Sequence, residues 1–260
     1  MKITVVTGSR ADYGLLEWPI QTMKADPFFE VEVLKLWGFS TAKAFDRVSE
    51  IERPDVLMVL GDRFEILGAV TSAYLQRIPI AHIAGGDVTE GSYDNAMRDC
   101  ISRMGTLHFV TSTSAMARLS AMGLSNIHLV GSPGIDYIRK ANWKGHRPFD
   151  EPYVVVSYQA ETIDGTNEIT RVFGELPDCK AVFILPNMDR GNEDIARFIN
   201  KYARDNDNIT DTVPHGEFLN LLLHCEEFIG NSSAMLYEAP ELGIKTKMYG
   251  KRQRGRTIPW

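Results

Sequence analysis

"DVLMVLGDRFEILGAV", residues 55–70, decides how the rest of the chain reads. A near-continuous apolar run ends at Leu60, a polar Gly-Asp-Arg turn follows, and an amphipathic segment spans 64–76. An apolar strand feeding a helix is the repeating unit of a parallel sheet covered on both faces. The unit recurs in both directions. "KITVVT" (2–7) and "EVEVLKL" (30–36) precede it, and "PIAHIA" (79–84), "LHFVT" (107–111) and "NIHLV" (126–130) follow, with helical patterns over 12–25, 41–52, 93–104 and 113–122. A second series comprises "YVVVSY" (153–158), "KAVFIL" (180–185), "NITDT" (208–212), "EEFIG" (226–230) and "KTKMY" (245–249). Between the series lies "NWKGHRPFDEP" (142–152), polar, with Gly145 and two prolines, which reads as a linker. The expected architecture is α/β: two doubly wound parallel-sheet (Rossmann-like) domains, 1–141 and 153–260, facing a cleft.

Composition removes several classes of function. A net charge of -6 argues against binding nucleic acid by charge. No stretch approaches the roughly 20 apolar residues of a membrane span, and the apolar run in "MKITVVTGSR" is too short for a signal peptide. Cys100, Cys179 and Cys225 are far apart and lack metal-ligand spacing, which fits a reducing compartment and a cytoplasmic location. His82, His108 and His128 fall in strands without ligand-spaced partners, so they read as hydrogen-bonded core and no metal is expected. "TGSRADYG" (7–14) lacks the G-x-G-x-x-G spacing and no G-x-x-x-x-G-K-[ST] occurs, so no nicotinamide or P-loop cofactor is expected.

In open parallel sheets ligands bind beyond the carboxyl ends of the strands. The conspicuous polar residues collect there: Arg10, Asp62, Arg63 and Asp87 in the first series, and Gln159, Asn187, Asp189, Ser232, Ser233 and Arg252 in the second. In "FIGNSSAMLYEA" (228–239) the two serines fall at a helix start, where they serve either as an ordinary N-cap or, with free backbone N–H groups, as an anion site. Glu238 beyond them suits a ribose diol or a solvated helix face. Arg10, Arg63, Arg252 and Arg256 carry the planar guanidinium that matches phosphate oxygens, and their shared placement favours a phosphorylated ligand. "HIAGGDVTEGSYDNAMR" (82–98) groups Asp87, Glu90 and Asp94 with Arg98. The group reads as an acid–base site beside a charged substrate, or, for Asp94 and Arg98, as a helix ion pair worth about 0.2–0.5 kcal/mol.

Several of these stretches together resemble the hydrolysing UDP-N-acetylglucosamine 2-epimerases: "TGSRADYG", "VLGDRFEILGAV" (59–70), "AHIAGGDVTEGSYDNAMR" (81–98), "IGNSSAMLYEAPELGI" (229–244) and "GKRQRGR" (250–256). The resemblance implies a glycosyltransferase-B architecture and a reaction that releases UDP and N-acetylmannosamine, the entry to sialic acids, by elimination and hydration. It implies Asp62, Asp87 and Asp94 as acid–base carboxylates, with Gly85 and Gly86 admitting close approach of the sugar. Arg10, Ser232, Ser233 and Arg252 would hold the diphosphate and Glu238 the ribose. Asn187 and Asp189 would lie near the sugar, and Arg63 would orient the acid cluster, with Arg98 beside it. The expected partner is UDP-N-acetylglucosamine or a related UDP-sugar, and a homo-oligomer is left open. Three departures stand out: aspartate at 87 where glutamate is usual, Gln159 in "SYQAET" where the family has a histidine, and less chain between "LKLWGFS" and "AFDRVSEIE" and after "GRTIPW". Two rival readings remain beside the epimerase: a glycosyltransferase of the same architecture and a UDP-sugar-binding module.

Overall fold

The computed structural model describes residues 1–90, 93–161, 165, 167–187, 191–211 and 213–256. By internal contact it divides into two units, one of Met1–Val88 with Tyr93–Tyr137, the other of Ile138–Gly255 together with Thr89 and Glu90.

The first unit alternates strand and helix without exception. Its elements are β1 (Lys2–Thr7), α1 (Arg10–Ala25), β2 (Glu30–Lys35), α2 (Thr41–Ser49), β3 (Val56–Leu60), α3 (Phe64–Leu75), β4 (Ile80–Ile83), α4 (Asp94–Met104), β5 (Leu107–Val110), α5 (Thr113–Ala121), β6 (Ile127–Leu129) and α6 (Pro133–Lys140). All six strands pair parallel, in the order β2-β1-β3-β4-β5-β6. The central strands are apolar throughout because both faces are covered. Val6 packs with Leu57, Val59 and Ile66 on the side of α2 and α3, while its neighbour Val5 packs with Leu16 and Ile20 of α1 on the other. The helices begin where serine can cap them: Ser9, Ser40 and Ser112 each accept a backbone N–H from the first turn.

The second unit carries β7 (Tyr153–Ser157), α7 (Ile169–Gly174), β8 (Lys180–Ile184), α8 (Asn192–Tyr202), β9 (Asn208–Thr210), α9 (His215–His224), β10 (Glu227–Gly230), α10 (Glu238–Leu242) and β11 (Thr246–Met248). These five strands are again parallel, in the order β11-β10-β7-β8-β9. Tyr153, Val155 and Phe228 point to one core, and Val154, Val156 and Phe183 to another on the opposite face. Residues 142–152 form neither helix nor strand. They are pinned nonetheless, since Asn220 of α9 accepts the Gly145 N–H and donates to the His146 carbonyl, each at 2.9 Å.

The expected strands appear with ends within one or two residues of those read from the sequence. "FIGNSSAMLYEA" departs from expectation. A single 3-10 turn over Ser233–Met235 replaces the helix start, and α10 has only five residues. The Ser232 hydroxyl accepts from Ala234, two residues on, which tightens the turn, and Pro240 lies just inside α10. No helix of the described residues is long and apolar enough to cross a membrane.

Candidate functional site

Each sheet reverses its winding once. In the first the chain leaves β1 for β2, then crosses to the other side of β1 to lay down β3. In the second it runs β7, β8, β9 and then crosses β7 to reach β10. Ligands of such sheets sit beyond the carboxyl ends of the strands at the reversal. The turns at these two places are Gly8–Arg10 with Gly61–Arg63, and Tyr158–Glu161 with Asn231–Ser233.

At the β1–β3 reversal Ser9 caps α1 and Asp12 closes the cap from the other side. The Ser9 hydroxyl accepts the Asp12 N–H and the Asp12 carboxylate accepts the Gly8 N–H, both at 3.1 Å. Burial pushes the Asp12 carboxyl up to about 6, with Arg63 opposing the shift. Arg63 itself forks onto the buried Glu65, at 3.1 Å and 3.0 Å. Arg63 thus packs among carboxylates, with Glu65 as a hydrogen-bonded partner and Asp12 as an electrostatic one. Arg10 is exposed at the start of α1, with its guanidinium 5.7 Å from the centre of the Trp37 ring. Lys35 lies over the same ring at 4.8 Å, and the indole N–H donates to the Thr7 hydroxyl at 3.0 Å.

Arg98 reaches the Asp62 turn. Its side chain is 2 % exposed and pairs with the Asp62 carboxylate, while Nη1 donates to the Asp87 carbonyl at 2.6 Å and to Asn95 at 2.9 Å. One guanidinium thus joins the β3 turn, the β4 turn and α4. Asp87 is half-buried. Its carboxylate accepts the Thr111 O–H at 2.7 Å, and burial raises its pKa against the pull of Thr111 and Arg256. Asp94 opens α4, the helix that carries Arg98.

The two glycines ahead of Asp87 are required by packing. Gly86 has φ +79°, and a Cβ there would fall 2.5 Å from the Ala115 carbonyl of α5. A Cβ on Gly85 would meet Ser102 at 2.8 Å and His82 at 2.9 Å. His82 is buried, and the Gly61 carbonyl at 2.8 Å can only accept, so Nε2 carries the proton and Nδ1 accepts from Ser102 at 3.0 Å. Burial lowers its pKa to about 4. It is a neutral brace for the Asp62 turn, in line with the hydrogen-bonded reading.

Amides dominate the β7–β10 reversal. The fully buried Asn231 accepts the Gln159 N–H at 2.7 Å and donates to the Gln159 carbonyl at 2.8 Å. Asn192, the first residue of α8, accepts the Ala160 N–H at 2.7 Å and donates to Gln159 Oε1 at 2.9 Å and Asn187 Oδ1 at 2.6 Å. Gln159 Oε1 also accepts the Asn187 backbone N–H at 3.1 Å. Arg252 donates to the Ala160 carbonyl at 2.7 Å, and the buried Glu161 accepts the Lys251 N–H at 2.5 Å. The fold needs glycine where β10 ends, since a Cβ on Gly230 (φ +138°) would lie 1.9 Å from the Ser157 carbonyl.

Ser232 and Ser233 stand half-buried at the 3-10 turn, and the helix N-terminus expected behind them is replaced by that single turn. Glu238 is buried, with His215 of α9 at 4.0 Å. Asp189 lies outside the described residues. The structure thus unites Asp62, Asp87 and Arg98 in one unit, and Gln159, Asn187 and Arg252 in the other. Sequence reasoning missed Asp12, Glu65, Asn192, Asn231 and His215, of which only Asp12 had a local signal, its Ser-x-x-Asp capping spacing. No group of three or more His, Cys, Asp or Glu among the described residues could hold a metal ion.

Two parallel α/β sheets with alternating helices, each with a furnished reversal, define a glycosyltransferase-B-like protein. Solved structures of that fold include an S. aureus MnaA–UDP complex (TM-score 0.78, 16% identity, 97% of this chain and 80% of that one). Another is the UDP-GlcNAc 2-epimerase of Neisseria meningitidis bound to UDP-GlcNAc (TM-score 0.76, 14% identity, 98% and 84%). The family model for UDP-N-acetylglucosamine 2-epimerase matches residues 36–258, and the chain belongs to that family. It is 28% identical over 308 aligned positions to a UDP-N-acetylglucosamine 2-epimerase of N. meningitidis serogroup B, covering 98% of this chain and 81% of that one. To a hydrolysing UDP-N,N'-diacetylbacillosamine 2-epimerase of Legionella pneumophila it is 27% identical, covering 98% and 82%.

Proposed function

We propose that the chain is a hydrolysing 2-epimerase that converts UDP-N-acetylglucosamine to UDP and N-acetylmannosamine, the entry sugar of sialic acids. A base takes the proton from C2 while the C1–O bond to UDP breaks, leaving a glycal. Water then adds across the double bond, hydroxyl to C1 and proton to C2, on the face that inverts C2. The observation that carries this reading is the cluster in which Arg98 ties Asp62 to the Asp87 turn. Proton transfer near neutral pH needs carboxylates in unlike environments. Asp62, paired with a buried guanidinium, is favoured as the ionised base. Asp87, raised by burial, suits the acid that returns the proton. Asp94, the first residue of α4, is the third carboxylate of the acid–base set. Arg10, Arg252, Ser232 and Ser233 hold the diphosphate, Glu238 the ribose, and Asn187 with Asp189 the sugar side.

Incubation with UDP-N-acetylglucosamine in D2O, followed by NMR of the sugars, tests the reading. N-acetylmannosamine with deuterium at C2 is the expected product, and recovered substrate without exchange would overturn it. A parallel incubation with UDP-N,N'-diacetylbacillosamine separates the two sugars that the relatives act on by name. Gln159 favours a second reading, a UDP-sugar-binding module, because an amide cannot titrate. Binding of UDP-N-acetylglucosamine without turnover would select it, and turnover that requires an acceptor would select a glycosyltransferase.

A further inference from the structure

The Asp62 side chain is launched from the Gly61–Asp62 peptide, which follows the most permissive residue of the β3 turn. Gly61 has φ +77°, and a Cβ there would meet nothing within 4 Å, so backbone conformation and not close packing calls for glycine. A peptide plane beside such a glycine swings unless hydrogen bonds hold it. β4 supplies both of them. The Ile83 carbonyl accepts the Gly61 N–H at 3.0 Å, and His82 Nε2 donates to the Gly61 carbonyl at 2.8 Å. The imidazole is oriented in turn from α4, since the Ser102 hydroxyl donates to Nδ1 at 3.0 Å. Ser102 stands one helical turn after Arg98, whose guanidinium pairs with the Asp62 carboxylate. One face of α4 thus grips Asp62 twice, through its side chain and through its backbone. Gly85 leaves room for the second grip, because a Cβ there would lie 2.8 Å from Ser102 Oγ and 2.9 Å from His82 Nδ1.

We propose that His82 and Ser102 are positioning residues for proton transfer at Asp62: by holding the Gly61 carbonyl they fix the peptide that aims the carboxylate. Neither touches the sugar and neither moves a proton. A misplacement of about 1 Å at a reacting group can cost about 10²-fold in rate, so a peptide free to swing is felt in turnover before it is felt in binding. The role rests on the reading of Asp62 as the base.

Two near-isosteres of histidine separate the two ring nitrogens. Glutamine sets its amide nitrogen close to the place of Nε2, and asparagine sets its amide close to the place of Nδ1. His82→Gln keeps the donor to Gly61 and should retain most of the wild-type kcat. His82→Asn keeps only the contact with Ser102 and should lower kcat about 10- to 100-fold, with KM and the calorimetric UDP affinity nearly unchanged. Each variant loses one buried hydrogen bond, so urea unfolding should shift alike in both, and stability alone does not produce the split in kcat. Ser102→Ala, which removes only a hydroxyl and serves if His82→Asn fails to fold, should lower kcat by less, and Ser102→Thr should restore it. Equal kcat in His82→Gln and His82→Asn, or Ser102→Ala turning over like the wild type, would overturn the assignment while leaving the epimerase reading in place. Imidazole 15N NMR of the wild type, which needs no turnover, should show the proton of His82 on Nε2, and a proton on Nδ1 would overturn the assignment as well. A wild type that forms no sugar product and places no deuterium at C2 would instead sink the epimerase reading, and the role of His82 and Ser102 with it.

Discussion

At the β1–β3 reversal the turns are held by charges: Asp12 and Glu65 around Arg63, and Asp62 and the Asp87 turn around Arg98. At the β7–β10 reversal the same positions are held mainly by amides, Gln159, Asn192 and Asn231, with Arg252 at the margin. The strand order reverses once in each sheet, and the side chains at the two reversals differ in kind. Losing one neutral hydrogen bond costs about 0.5–1.5 kcal/mol, whereas stranding a buried charge costs about 3–5 kcal/mol. Charges also respond to pH and amides do not. The charged reversal has groups that pH can change, and the amide-built one keeps its hydrogen bonds across pH.

The contrast breaks first at the chemistry. Asp62→Asn and Asp87→Asn should each lower turnover by about 10²–10⁴-fold with UDP affinity nearly unchanged. Steady-state kinetics beside calorimetry reads both quantities, and parallel losses would move the residue from proton transfer to ligand holding.

A second break concerns stability. Arg98→Met leaves the Asp62 carboxylate without its buried partner and should cost about 3–5 kcal/mol in urea unfolding. Adding Asp62→Asn should recover part of that loss. A cost under about 1 kcal/mol, with no recovery, would mean that Arg98 is not the tie between the two turns.

The smallest effect sharpens the comparison through pH. Asp12 titrates near 6 when folded, above its unfolded value near 3.8, so between those values the folded state binds more protons. Its contribution to stability is therefore fully present below about pH 4 and is lost as pH rises through 6. Asp12→Asn keeps an acceptor for the Gly8 N–H and cannot ionise. The variant should gain on the wild type by about 1–2 kcal/mol across that window, less than the full shift implies because solvent reaches this half-buried group. A difference in unfolding free energy that stays flat from pH 4 to 7 would show that Asp12 does not titrate there.

The sheets were readable because burial on both faces writes strands such as "KITVVT" and "YVVVSY" as unbroken apolar runs. The placement of polar residues at strand ends followed from the same topology. What stayed hidden was partnership. Arg98 reaches Asp62 only because β3 and β4 lie side by side with α4 behind them, and nothing local in "NAMRD" announces that. Nothing in the sequence singles out Glu65, yet it is buried under Arg63. Asn192 follows a stretch of polar residues in which one asparagine looks like another. Its role depends on where β7 delivers Gln159. Gly85 and Gly86 were legible as special, but their reason, the backbone of α5 and the His82–Ser102 pair, is tertiary.

The amide-built reversal also ages differently from the charged one. Heat acts on asparagine and glutamine through slow hydrolysis of the side-chain amide, damage to which carboxylates and guanidinium groups are not subject. At Asn231 that hydrolysis would replace the donor to the Gln159 carbonyl with a second oxygen, turning attraction into repulsion at a fully buried site. At Asn192 it would do the same to Gln159 Oε1 and Asn187 Oδ1 together. Burial and hydrogen bonds on both amide atoms slow the reaction but cannot reverse it. Prolonged warmth should therefore loosen the β7–β10 turns, through these two asparagines, before it alters the charged pairs around Arg63 and Arg98.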